Sequence, residues 1–154
     1  MMQRDRPEEA PMTATDAVVL YTDGASRGNP GDAAWAYVIV RGGAVAASSS
    51  GYIGTATNNV AEYHAVINGL RAAQAFTQGR LKVRSDSELV VRQLTGRYRI
   101  TKEHLADLAD EVRRLMRNFS EVGFESVPRE HPCIQLADRL CNERLDTERR
   151  GRHE

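Results

Sequence analysis

The sequence predicts an α/β fold in which a mixed β-sheet carries helices on its faces. Three β-prone runs come first, over 18–21, 33–40 and 45–52. The apolar spacing then changes to that of helices alternating with short strands, giving the order βββαβααβα. Because a strand that follows such a helix returns parallel to its neighbour through a right-handed crossover, the sheet must combine antiparallel and parallel strands.

The individual elements follow from local signals. The first strand is expected to end at the turn-forming pair Asp23-Gly24, and Gly42-Gly43 predicts a hairpin between the second and third strands. Helical spacing of apolar residues predicts helices over 59–76, 87–94 and 101–118, with strands over 81–85 and 121–127. A last helix is predicted over 132–146, because Pro132 suits a first helical turn.

Length and composition indicate one domain with polar ends. The chain has 154 residues, and its 21 Lys and Arg balance 21 Asp and Glu, which excludes nucleic-acid binding through bulk positive charge. Residues 1–16 are expected to be a disordered leader, 17–146 the folded domain and 147–154 a disordered tail. No apolar run is long enough to span a membrane, and no secretory signal is evident, so a cytoplasmic location is expected. No obligatory protein partner is evident from the sequence, and a monomer is expected.

Four carboxylates occupy positions where a plain surface role is unexpected. Asp23 and Asp86 each follow a predicted strand, and ligand sites of α/β sheets gather at strand ends. Glu62 and Asp138 lie in line with the apolar stripes of their helices. A carboxylate in such a stripe is costly to desolvate unless something pairs with it.

Each carboxylate taken alone also fits a structural role. Asp23 suits a turn, Asp86 a helix cap, Glu62 a capping box with Asn59, and Asp138 an ion pair with an arginine. Gathered in one place, the four would repel one another and would require a divalent cation. Oxygen-only ligands favour Mg²⁺, with Mn²⁺ as a substitute, and two such ions can support phosphodiester cleavage.

Four motifs resemble those of the type 1 ribonuclease H family. They are the segments YTDGASRGNPG over 21–31, TNNVAEY over 57–63, SDS over 85–87 and ADRLCN over 137–142. All four occur in the order of the family, and each contains one of the carboxylates described above. The first two motifs are long enough to be highly specific, whereas the last two would be weak alone.

The resemblance implies the ribonuclease H-like fold, with a five-stranded sheet of strand order 3-2-1-4-5. It also implies endonucleolytic cleavage of the RNA strand of an RNA–DNA hybrid, leaving 5′-phosphate and 3′-hydroxyl ends with little sequence preference. Carried over to this sequence, Asp23, Glu62, Asp86 and Asp138 become catalytic carboxylates that bind two Mg²⁺ ions.

Substrate contacts are also implied by the resemblance. Asn29, Asn58 and Asn59 would lie along the minor groove, Thr57 would hold a DNA phosphate, and Ser87 belongs to the third motif. Side-chain amides suit that role, because they donate and accept at 2′-hydroxyls and base edges. Gly24, next to the first aspartate, either permits a tight turn or lets the substrate backbone approach closely.

Two segments depart from the family pattern. The basic, Trp-containing protrusion of many bacterial members is absent, and only residues 95–100 fill that gap. Arg97, Tyr98 and Arg99 there suit either a contact with the DNA strand or a solvated loop with Tyr98 facing the core. Before the last aspartate, His131 is the candidate for assisting proton transfer or product release. Alternatively, His131 is a plain loop residue or a helix cap. Arg129 is then the second candidate for the same role.

Other functions remain open on the sequence alone. A hybrid- or duplex-binding module without activity would be favoured by loss of a carboxylate, yet all four are present. Another nuclease of the same superfold would share the acidic cluster. A sugar kinase that uses Asp23-Gly24 as a phosphate loop would need a much longer chain.

Overall fold

The computed structural model describes residues 17–152 of the chain. Within that range the elements follow the predicted order: β1 Val18–Gly28, β2 Gly31–Arg41, β3 Ala44–Ala56, α1 Asn58–Ala73, β4 Arg80–Ser85, α2 Glu88–Leu94, α3 Glu103–Met116, β5 Glu121–Ser126 and α4 Pro132–Arg152. The leader expected over 1–16 lies outside the described residues. No helix within 17–152 combines the length and apolar character needed to cross a bilayer.

The five strands form one mixed sheet of order β3-β2-β1-β4-β5, as the family resemblance implied. Strands β1, β2 and β3 pair antiparallel as a meander. Strand β4 then pairs parallel to β1, and β5 parallel to β4. The predicted α/β class with a mixed sheet is confirmed.

Helices cover both faces of the sheet because successive strand residues point to opposite sides. Leu20 of β1 joins a core with α1, α2 and α3 on one face. Its neighbour Tyr21 points to the other face and packs with Ile134, Cys141 and Leu145 of α4. Burial of each large apolar side chain contributes about 1.5–3 kcal/mol, so these two layers hold the strand ends in fixed positions.

Strand β1 is longer than the sequence predicts, and this moves Asp23 from the strand end into the strand. Its parallel pairing with β4 stops at Thr22 opposite Ser85. Its antiparallel pairing with β2 continues to Gly28 opposite Gly31. The turn-forming residues after Asp23 therefore bend into a hairpin later than expected, because β2 supplies backbone partners beyond the end of β4.

Helix α4 also continues beyond its predicted end, so the disordered tail expected from 147 is not found over 147–152. The last two turns of the helix are held to the meander by two ion pairs. The Arg152 guanidinium lies 2.6 Å from the Asp32 carboxylate of β2, and Arg27 of β1 lies 2.8 Å from Asp146. Polar composition alone did not indicate these partners on the neighbouring strands.

Helix α1 approaches β1 most closely at Gly24. A β-carbon built at Gly24 would lie 2.4 Å from the carbonyl carbon of Ala61 and from the backbone nitrogen of Glu62. The absence of a side chain at Gly24 therefore lets the first turn of α1 rest directly on the strand that carries Asp23.

Gly24→Ala is expected to lower the free energy of unfolding by about 1–3 kcal/mol, because the added carbon overlaps helix backbone that must move away. Gly151→Ala is the matched control, since no atom of the described part of the chain lies within 4 Å of a β-carbon at that helical position. Urea unfolding of both variants measures the difference. Equal stability of the two variants would contradict the close contact.

Candidate active site

Two aspartates lie directly after the last residue pair between β1 and β4. Asp23 follows the last β1–β4 pair on one strand, and Asp86 follows it on the other, because Thr22 is opposite Ser85. Adjacent strands thus bring the two carboxylates to the same end of the parallel pair. Oxygen atoms of Asp23, Asp86 and Glu62 all lie within 4.8 Å of one another.

Glu62 reaches this point from the first turns of α1. Thr57 caps the helix, its Oγ1 accepting a hydrogen bond from the backbone N–H of Val60 at 3.2 Å. The contact at Gly24 then places Glu62 against β1, where only 4% of the residue is exposed. Its Oε1 atom is buried and has no hydrogen-bond partner among residues 17–152, which is costly for an isolated carboxylate.

The electrostatics of the cluster disfavour ionised side chains. Burial raises the pKa of Asp23 to about 8, and the charges of Asp86 and Asp138 add to this rise. Burial also raises the pKa of Glu62 well above its usual range, with further contributions from Asp23 and Asp86. The Gly24 N–H and the Arg129 charge oppose both shifts without reversing them.

Asp138 borders the same cavity from the opposite layer. Helix α4 carries it across from β1, and a cavity of about 320 Å³ lies among all four predicted carboxylates. Asp138 is exposed, whereas Asp86 is half-buried and Asp23 and Glu62 are buried, so the expectation that Asp138 lies in the buried stripe of α4 is wrong. The structure therefore gathers the four carboxylates around one opening, three of them in close contact and the fourth at its border.

Arg129 supplies positive charge at this cavity. Its Nε lies 3.7 Å from Oδ2 of Asp86, and its side chain is 85% exposed. Gln135, one turn before Asp138 on α4, also lines the cavity. Gln135 is not among the site residues predicted from the sequence, although its i−3 spacing from Asp138 places it on the same side of the helix.

His131 lies apart from the carboxylates. Its Nε2 is 3.3 Å from the hydroxyl of Tyr21, and its Nδ1 accepts a hydrogen bond from the backbone N–H of Cys133 at 3.1 Å. Among the residues described, it is not one of those lining the carboxylate cavity. Of the two candidates before the last aspartate, the structure therefore places Arg129 at the cavity and His131 at the start of α4.

The predicted substrate-binding residues lie in two places, at the beginning of α1 and at the beginning of α2. Asn29 accepts a hydrogen bond from the backbone N–H of Asn58 through its Oδ1 at 3.0 Å, next to Thr57 and Asn59 at the beginning of α1. Ser87 caps α2, its Oγ accepting from the N–H of Val90 at 3.2 Å. Asn29 and Asn58 are exposed, as a contact with a large substrate requires.

The loop after α2 presents its aromatic ring to solvent. Tyr98 is 46% exposed, which removes the alternative that it faces the core. The guanidinium of Arg92 lies 5.2 Å from the ring centre and donates to the Tyr98 hydroxyl at 2.9 Å. Arg97 and Arg99 are exposed on either side of it.

Comparison with known proteins places this arrangement in a family. A sequence model of the family described as "Reverse transcriptase-like" matches residues 21–144. Ribonuclease HI of Halobacterium salinarum is 43% identical over 130 residues, which cover 84% of this chain and 64% of that protein. The bifunctional protein Rv2228c of Mycobacterium tuberculosis is 40% identical over 131 residues, which cover 84% of this chain and 35% of that protein. The chain therefore spans less than two thirds of the length of both relatives.

Solved structures give the same result. The crystal structure of RNase H1 from Halobacterium salinarum matches with a TM-score of 0.80 and 42% identity, covering 85% of this chain and 98% of that one. LC11-RNase H1, solved in complex with an RNA/DNA hybrid, matches with a TM-score of 0.79 and 37% identity over 85% and 98% of the two chains. The match over most of the sequence, the sheet order and the four motifs together show that this chain belongs to the type 1 ribonuclease H family.

Proposed function

We propose that the protein is an endonuclease that hydrolyses the RNA strand of RNA–DNA hybrids. The observation that carries this proposal is the convergence of Asp23, Glu62 and Asp86 within 4.8 Å at the end of the β1–β4 pair. The hybrid bound by the related LC11-RNase H1 supports the choice of substrate. Products with 5′-phosphate and 3′-hydroxyl ends are expected if water attacks phosphorus and the 3′ oxygen of the ribose leaves and takes up a proton.

The residues present fit a divalent cation. Three carboxylate oxygens can reach one ion, and the Glu62 Oε1 atom has no hydrogen-bond partner in the described part of the chain. The raised pKa values of Asp23 and Glu62 indicate a site that favours added positive charge. Oxygen-only ligands favour Mg²⁺ over zinc, and Mn²⁺ can substitute. Bound ions would supply an activated water and charge stabilisation of the leaving oxygen. Asp138, at the border of the cavity, would complete a second ion site.

The remaining residues would hold and orient the hybrid. Exposed amides at Asn29 and Asn58 suit 2′-hydroxyls in the minor groove, and Thr57 suits a DNA phosphate next to them. Arg129 would pair with a phosphate oxygen beside Asp86. Arg97, Tyr98 and Arg99 offer charge and a stacking ring to the second strand. These contacts are mostly with phosphates and sugars and not with base edges, so little sequence preference is expected.

A non-catalytic hybrid-binding module is the second candidate, favoured only by the exposed polar residues around α1. The convergence of all four carboxylates argues against it, because binding alone does not require their mutual repulsion. The monomeric state and the cytoplasmic location expected from the sequence stay predictions.

Asp23→Asn is expected to lower hybrid cleavage at least about a hundredfold while hybrid binding persists, because the change removes a metal ligand and almost no volume. The measurement is a gel of labelled RNA–DNA hybrid, RNA duplex and DNA duplex, each with and without Mg²⁺. Wild-type protein should cut the RNA strand of the hybrid, and excess chelator should stop it. End-labelled hybrid separates internal cuts from exonucleolytic trimming.

Asp110→Asn is the matched control for that substitution. Asp110 is an exposed residue of α3 whose one ion pair within residues 17–152 is with Arg113 at 3.5 Å, and it does not line the carboxylate cavity. Cleavage by the control should equal that of the wild type. Unchanged cleavage by Asp23→Asn, or cleavage in excess chelator, would contradict the proposed function.

The stability of the metal-free protein is expected to fall between about pH 5 and pH 8. The folded protein holds a proton on Asp23 up to a pKa of about 8, whereas the unfolded chain releases it near 3.8. The folded state therefore binds more protons in this window, so the free energy of unfolding decreases as pH rises. Urea unfolding in chelator across this range measures the decrease.

Asp23→Asn should flatten that pH profile and stabilise the metal-free protein at pH 8 by about 1–3 kcal/mol, because a buried charge is replaced by a neutral amide. Added Mg²⁺ should stabilise the wild type and have little effect on the variant. A wild-type profile that rises steadily through the window would contradict the shifted pKa of Asp23.

A further inference from the structure

A chain of polar contacts joins the beginning of α4 to three strands of the sheet. Arg84 of β4 donates from Nη1 to the Tyr21 hydroxyl of β1 at 2.9 Å and from Nε to Glu125 of β5 at 2.8 Å. The Tyr21 hydroxyl in turn lies 3.3 Å from Nε2 of His131. We call these four residues, Tyr21, Arg84, Glu125 and His131, the Tyr21 network.

His131 couples this network to the first turn of α4. Its Nδ1 accepts the N–H of Cys133 at 3.1 Å, and its carbonyl accepts the N–H of Gln135 at 2.9 Å, so His131 acts as the N-cap of the helix. Because Nδ1 accepts, the neutral imidazole carries its proton on Nε2 and donates it to the Tyr21 hydroxyl. The two rings also lie 4.7 Å apart between their centres.

The network joins β1 and the beginning of α4, and both of these segments also carry residues of the carboxylate cavity. Tyr21 is two residues before Asp23 on β1 and is 5% exposed, in the core layer that contains α4. His131 is two residues after Arg129 and seven before Asp138, about 10 Å along a helix that rises 1.5 Å per residue. A shift of the first turn of α4 against β1 would therefore move Arg129 and Asp138 relative to Asp23.

We propose that Tyr21, Arg84 and His131 are positioning residues for cleavage. The network fixes the first turn of α4 against β1, and this holds Arg129 and Asp138 beside Asp23, Glu62 and Asp86. The proposal rests on the proposed function and assigns His131 a role through α4, away from the reacting atoms.

Removing the Tyr21 hydroxyl disrupts the network with the least change to the packing of the core. It receives both the guanidinium of Arg84 and the imidazole of His131. Tyr21→Phe removes both contacts and keeps the buried ring, its packing against α4 and the pair between Arg84 and Glu125. Loss of activity in this variant would therefore report on position and not on core packing.

Tyr52→Phe is the matched control at the other end of the same helix. The Tyr52 hydroxyl donates to Asp32 at 3.0 Å, and Asp32 pairs with Arg152 in the last turn of α4. Both substitutions remove one hydroxyl that helps to tie α4 to the sheet. They differ in whether the anchored turn lies next to the carboxylate cavity.

The test compares steady-state cleavage of a hybrid with amide hydrogen exchange along α4. Tyr21→Phe is expected to lower kcat about tenfold with KM within about twofold, since misplacement near the chemistry affects the transition state more than binding. Exchange should accelerate in the first turn of α4. Tyr52→Phe should keep the wild-type kcat and accelerate exchange only in the last turns.

His131→Asn is a second, independent substitution that removes the contact between His131 and Tyr21. Asparagine preserves an N-cap acceptor for α4 but is too short to keep the contact with the Tyr21 hydroxyl. Its kcat should fall as much as that of Tyr21→Phe, and combining the two changes should add little further loss, because both remove the same contact.

A wild-type kcat in Tyr21→Phe would overturn the proposal, even if its melting temperature fell, because the network would then be merely structural. Unchanged exchange in the first turn of α4 would also overturn it. If the wild-type protein fails to cleave the hybrid, the proposed function falls on its own. The exchange comparison of Tyr21→Phe with Tyr52→Phe still decides whether the network anchors α4.

Discussion

Burial of the Asp23 and Glu62 carboxylates against each other is the constraint on which the rest of the structure depends. Each is almost fully removed from water, and burial is the largest cause of the raised pKa of both. Such a pair is stable only if it is protonated or if a cation lies between its members. The arrangement is therefore unfavourable for two ionised carboxylates, and a bound cation would make it favourable.

The fold imposes this arrangement through three separate contacts. Parallel pairing of β1 and β4 ends at the residues before Asp23 and Asp86. The bare α-carbon of Gly24 lets α1 rest on β1 and brings Glu62 against the strand. Helix α4, packed on the opposite face through Ile134 and Cys141, carries Asp138 to the border of the cavity. No single element could assemble the site, which explains why the four motifs are spread over most of the sequence.

The sequence predicted the α/β class, the strand order through the family resemblance, and the meeting of the four carboxylates. These features depend on local periodicity and on motifs, each readable within a few residues. The length of β1 was mispredicted because turn-forming residues after Asp23 can also lie in a strand when β2 provides partners. The end of α4 was mispredicted for a similar reason, since Arg152 finds Asp32 on a distant strand. The position of His131 depends on Tyr21, 110 residues earlier, and no local pattern encodes that contact.

The most direct test of the central claim is anomalous diffraction from crystals of the wild-type protein soaked in Mn²⁺. The account predicts a manganese peak coordinated by oxygens of Asp23, Glu62 and Asp86, with the Glu62 Oε1 atom facing the ion. Fully occupied manganese elsewhere on the molecule, with these three carboxylates left without an ion, would contradict it.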